Sequence, residues 1–188
     1  MNGYQHPFLS DRKYSLLYIL TWTLIGAVHV LLLAWMQSFP FFTMLQEALI
    51  STFFLAILGL VLWFPVRFMD SGKSGPVVVI SGYLLAGALM LLLWLGMTNI
   101  LLQGLVPDDP SYHAYLMESL PWKITGGAFI YLIIILVYYL IMSWSRLREK
   151  ERKEARLETV LRESELRMLR SQINPHFLFN SLNSISAL

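Results

Sequence analysis

Charge is nearly absent from one long stretch of this chain, and the places where it does fall limit what the chain can fold into. Residues 14 to 145 hold eight charged side chains: Glu47, Arg67, Asp70, Lys73, Asp108, Asp109, Glu118 and Lys123. Eighteen of the twenty-six charges in the 188-residue sequence lie outside that stretch. The eight are clustered so as to leave four apolar runs, at 14–36, 48–64, 77–102 and 124–144. Each is near or above the roughly 17–25 residues that a helix needs to cross a bilayer. Inside a bilayer every backbone N–H and C=O must be satisfied within the protein, so such runs predict helices. The expected fold class is therefore all-α, with a four-transmembrane-helix bundle over residues 1–145. A composition that is 56% hydrophobic and 14% charged excludes an ordinary soluble enzyme. The second run is the shortest, and it reaches a comfortable length only if 43–47 begin its helix at the interface.

The first run is longer than the 7–15-residue apolar core of a cleaved signal peptide, so it reads as a retained span. Basic residues in the connections set the orientation. Arg12 and Lys13 precede the first span, Arg67 and Lys73 lie between the second and third, and Arg146, Arg148, Lys150, Arg152 and Lys153 follow the fourth. Both termini are thus expected in the cytoplasm, in a multi-pass protein of the bacterial inner (cell) membrane. The connections 37–47 and 103–123 hold Glu47, Asp108, Asp109 and Glu118 against Lys123 and are expected to face outward. Turns or a small helix fit there, but a folded ligand-binding domain of about 50 residues does not. Any signal must then act on the bundle itself. Aromatics at the run ends, including Trp35, Trp63, Trp122 and Trp144, suit headgroup depth, whereas Trp94 lies well inside its run.

Within the spans His29 is the notable ionisable group. It reads either as a ligand or pH sensor or as a neutral imidazole bonded to a neighbouring helix. The lack of a recognisable carboxylate in the spans favours the second, with Thr98, Asn99 and Gln103 as candidate partners. Gly82, Ala86, Gly87 and Gly96 offer small surfaces for close helix approach. Asp108 and Asp109 lack the ordered oxygen series of a calcium loop. Gly72-Lys73-Ser74 imitates the end of a phosphate-binding loop, but Arg67 stands where that motif needs a glycine. No cofactor or metal site is therefore expected in this chain. With no cysteine there are also no disulfides or thiolate metal sites.

From Arg146 to Arg170 come fifteen charges without Gly or Pro, a composition that favours helix. Residues 146–171 are expected to continue the fourth span. Leu157, Leu161, Ser164 and Met168 recur at the spacing of a coiled-coil seam, and Leu166, Leu169 and Ile173 form a second, phase-shifted stripe. Two chains side by side would bury both stripes, which predicts a parallel homodimer. A lone helix held by i,i+4 ion pairs is the other reading.

The last segment, 172–188, runs Gln172-Ile173-Asn174-Pro175-His176-Phe177-Leu178-Phe179-Asn180-Ser181-Leu182-Asn183-Ser184-Ile185 before its end. At 100° per residue Leu178, Leu182 and Ile185 share one face, with His176, Asn180 and Asn183 opposite. Pro175 lacks an N–H and disfavours helical geometry at Asn174, so the helix must kink or restart there, with Asn174 as N-cap. A neutral, outward-facing imidazole can act as a nucleophile, and Asn180 one turn on can orient it or a phosphoryl oxygen. The residues alone leave a plain surface histidine ahead of that reading.

The run from about Glu165 to Ile185, with Leu169 through Asn183 within it, closely resembles the phosphoacceptor box of the LytS/YehU-type sensor histidine kinases. The order of several spans, a charged helix and then the box is also that family's. The resemblance implies that His176 is autophosphorylated, with Asn180 as an orienting residue and Asn174–Pro175 as a signalling kink. It places 172–188 at the start of a dimerisation and phosphotransfer domain, with an ATP- and Mg-binding catalytic domain expected beyond it. This chain alone would then be inactive. The implied partners are a second copy, membrane lipid and a response regulator, often of LytTR type, with no direct nucleic acid. A non-enzymatic receptor or scaffold and a small transporter are the alternatives.

Overall fold

A computed structural model describes residues 6–37, 39–69, 75–106 and 110–172. Among them the regular structure is entirely helical: α1 (Arg12–Met36), α2 (Phe41–Val61), α3 (Trp63–Met69), α4 (Pro76–Leu105), α5 (Pro110–Glu118) and α6 (Leu120–Gln172). Four stretches are long and apolar enough to cross a membrane, namely Arg12–Met36, Phe41–Met69, Pro76–Leu105 and Leu120–Leu169. The chain divides into two units, Met1–Ile141 and Met142–Leu188.

Helix starts follow local chemistry. Asp11 caps α1, its carboxylate accepting from the Lys13 N–H at 3.0 Å. Proline stands at or beside the start of α2, α4 and α5 (Pro40, Pro76 and Pro110), where its missing N–H costs nothing. Pro65 has the opposite effect. It cannot donate to the Val61 carbonyl and its ring crowds that carbonyl, so the second span breaks at Leu62 into α2 and α3.

The carbonyls around that break are taken up by side chains. Tyr18 Oη donates to Ala56 O at 2.6 Å, and Tyr138 Oη donates to Gly59 O at 2.8 Å. His6 Nε2 lies 3.1 Å from Leu60 O, and the Phe8 N–H donates to His6 Nδ1, so the ring is the neutral Nε2–H tautomer. Burial depresses the His6 pKa, in agreement with that state. Trp63 stacks within this aromatic cluster and is buried, rather than lying at the surface with the other run-end tryptophans Trp35, Trp122 and Trp144.

Outward-facing leucines such as Leu20, Leu84, Leu85 and Leu136 are more than half exposed, as befits an acyl-chain environment and not water. Without a hydrophobic force between helices, association in such a setting rests on close packing and interhelical hydrogen bonds. Both are seen on one stripe of α6. A Cβ on Gly127 would fall 2.6 Å from the Trp94 ring, and one on Gly87 of α4 would fall 2.9 Å from the Tyr131 ring. Tyr131 Oη donates to Tyr83 O and Tyr138 Oη to Gly59 O. Gly87 thus does what its size suggested, and Gly82 faces Met69, but Gly96 has nothing within 4 Å of its would-be Cβ. The inward position of Trp94 has its reason in the bond from Nε1 to Ser51 O at 3.0 Å and in the Gly127 contact.

The second span begins at Phe41, earlier than 48, which places Glu47 nearly two turns inside a helix. The connection read as 103–123 is mostly helix, with α5 covering that end of the bundle through Tyr112 and Leu116, both fully buried.

Candidate functional site

The sequence-derived phosphoacceptor residues His176 and Asn180, and the kink residues Asn174 and Pro175, lie outside the described residues. Helix α6 is described as far as Gln172, so the 146–171 segment does continue the fourth span as one helix. On that helix Leu157, Leu161, Leu166, Met168 and Leu169 are all more than half exposed, and so is Val160, which the seam pattern had not included. The i,i+4 pairs Glu149–Lys153 (2.8 Å), Glu158–Arg162 (2.6 Å) and Glu163–Arg167 (3.5 Å) run along it. The Lys153 ammonium, hydrogen-bonded to Glu149, holds that carboxyl below its ordinary pKa. Such exposed pairs contribute little to stability.

A second polar constellation was not read from the sequence. Glu47 of α2 is 1% exposed, and its carboxylate meets Lys123 Nζ of α6 at 2.8 Å. Tyr112 Oη donates to Glu47 Oε2 at 3.0 Å, and Tyr115 Oη donates to Oε1 at 3.4 Å. Lys123 Nζ also lies 5.4 Å from the centre of the Tyr115 ring. Three elements, α2, α5 and α6, thus converge on one carboxylate. Burial first, and then the Glu47 charge, push both phenols above their ordinary range, so they remain protonated donors. Glu47 and Lys123 are therefore not the solvated charges of outward loops. A pair that neutralises itself and is hydrogen-bonded by two phenols can sit inside the helices.

This also corrects the reasoning on His29, since a carboxylate does stand within the spans. His29 is half-buried and lines a cavity between α1, α2, α4, α5 and α6 that Lys123 and Tyr115 line as well. Its expected partners do not reach it: Thr98 Oγ1 is buried without a hydrogen bond among the described residues, Asn99 Nδ2 donates to Leu95 O at 2.9 Å, and Gln103 is exposed. No three His, Cys, Asp or Glu side chains converge as metal ligands among the described residues.

Comparison with known proteins bears on the other end of the chain. A family model described as histidine kinase matches residues 164–188, a range that contains Asn174, Pro175, His176 and Asn180. Sensor protein LytS of Bacillus subtilis (strain 168) is 53% identical over 36 residues. Over short stretches the chain is similar to a LytS-type sensor histidine kinase. That likeness spans 19% of this chain and 6% of the relative's length, a short stretch of each. No solved structure matches the chain.

Proposed function

We propose that this chain is the membrane-sensor and phosphoacceptor portion of a two-component sensor histidine kinase. The observation that carries the reading is the histidine-kinase match over 164–188, which begins on the same helix that starts in the apolar bundle. In this reading the lone pair of an imidazole nitrogen of His176 attacks the γ-phosphorus of ATP. An N–P bond forms, the bond to the bridging oxygen breaks, and ADP leaves. A response-regulator aspartate then takes the phosphoryl group from His176. Asn180 orients the ring or a phosphoryl oxygen, and the Asn174–Pro175 kink transmits the state of the bundle. ATP and Mg2+ belong to a catalytic domain of the complete kinase. The regulator's output domain is of LytTR type in this proposal. The test is transfer of label from γ-labelled ATP to the complete protein as acid-labile, base-stable phosphate. Acid-stable label, or none, would overturn the reading.

The phosphotransfer segment acts as a parallel homodimer in this proposal, paired through the exposed stripes of α6. Cysteines placed singly at Leu157, Leu161 or Ser164 should crosslink readily between chains, and one at Glu158 should not. Uniform crosslinking, or none, would reject that seam. The chain is proposed to lie in the bacterial cell membrane with both termini in the cytoplasm, on the strength of its basic connections. A cysteine at Ser111 should then react with an impermeant thiol reagent in intact cells while one at Ser74 resists. The opposite pattern would reverse the topology.

A further inference from the structure

The cavity beside the buried ion pair measures about 960 Å3, at the upper end of the range for small-molecule sites. Leu24, Leu32, Leu55, Trp94 and Ile130 give it an apolar wall, and His29 stands among them. His29 lines the cavity and its imidazole makes no hydrogen bond to any described residue, so one N–H donor and one lone pair are unspent. A half-buried polar group of this kind calls for a partner.

Charge decides what kind. Within the wall, Lys123 is balanced by Glu47 at 2.8 Å, and Glu118 at the margin is exposed to solvent. A buried anion would face the Glu118 carboxylate with that of Glu47 behind Lys123, and a buried cation would face the Lys123 ammonium. A neutral molecule meets neither penalty. We propose that the cavity binds a neutral lipophilic compound with a carbonyl head, the chemistry of an alkyl-substituted quinone. Its carbonyl oxygen accepts from the His29 ring N–H, and its apolar body lies along α1 and α6. Five of the lining residues, Trp122, Lys123, Gly126, Gly127 and Ile130, belong to α6, so occupancy bears directly on that helix. The assignment concerns binding to the bundle and does not rest on the phosphoacceptor reading.

The same carbonyl chemistry is carried by the ester groups of phospholipids, and the experiment separates the two sources. The 188-residue chain is placed in nanodiscs of ester-linked or of ether-linked phosphatidylcholine, and binding of radiolabelled decylbenzoquinone is measured against empty discs. Saturable binding near one per chain in both discs supports a quinone as occupant. Saturable binding confined to ether-linked discs supports the site with a lipid ester as its resident.

Two variants test the location. His29→Phe keeps an aromatic ring but removes the donor and should weaken binding on the order of fivefold to tenfold, the effect of one neutral hydrogen bond. His29→Gln, which retains a donor, should restore part of it. Gly126 lines the cavity and has nothing within 4 Å of its would-be Cβ, so Gly126→Phe, whose Cβ is accommodated, adds bulk at the wall and should abolish saturable binding. No saturable binding in either disc, or binding unchanged in Gly126→Phe, would overturn the proposal.

Discussion

Replacing His176 with glutamine in the complete protein should, on the proposed phosphoacceptor role, reduce acid-labile phosphate to background while leaving membrane insertion and the proposed dimer intact. Glutamine is similar in reach and polarity, but its amide nitrogen has its lone pair delocalised into the carbonyl and cannot serve as a nucleophile. The effect is therefore all-or-none and not graded. Asn180→Ala should lower the labelling rate without abolishing it, because an orienting group contributes positioning and not the bond itself. Undiminished label in His176→Gln would move the acceptor elsewhere. The 188-residue chain by itself should take up no label from ATP, since phosphoryl transfer needs a held nucleotide and metal.

How far the sequence could be read depended on the kind of signal. Four spans were legible because charges interrupt apolar runs, and that pattern needs no knowledge of tertiary contacts. The charged helix over 146–171 was legible for the same reason, being rich in charge and free of Gly and Pro. The failures share one cause, in that a charge was taken as the boundary of a span. Glu47 and Lys123 are 76 positions apart, and nothing local in either neighbourhood says that they neutralise each other. One signal was available nonetheless: Pro40 is a helix start, and a helix from Phe41 puts Glu47 on its second turn. Tyr112, Tyr115 and Leu116 stand at i, i+3, i+4 after Pro110, the pattern of a short helix with one buried face, and the structure buries it. The break at Leu62 was likewise written in Pro65. The cavity at His29 was not legible, because an empty space between five helices leaves no mark on any one of them.

The buried pair should show the largest stability effect in the bundle. Glu47→Leu leaves the Lys123 ammonium beside an apolar side chain and takes the acceptor from two phenols. Breaking one side of a buried pair in this way costs about 3–5 kcal/mol. Lys123→Met is expected to be milder, because Glu47 keeps the Tyr112 and Tyr115 hydroxyls as donors at 3.0 and 3.4 Å. The double variant removes both charges, so its loss should be smaller than the sum of the two singles, by a coupling of up to about 3 kcal/mol. The readout is the unfolding midpoint of the purified chain in detergent for the wild type, both singles and the double. Strict additivity would mean that the two charges do not stabilise each other. The pair also fastens α6 at Lys123, above the further attachments of Tyr131 to Tyr83 O and Tyr138 to Gly59 O. Loss of the Lys123 attachment should therefore raise amide exchange in the first turns of α6 ahead of the turns around Tyr138. Uniform exchange along the helix would instead mean that the bundle is held by packing alone, with the ion pair a passenger.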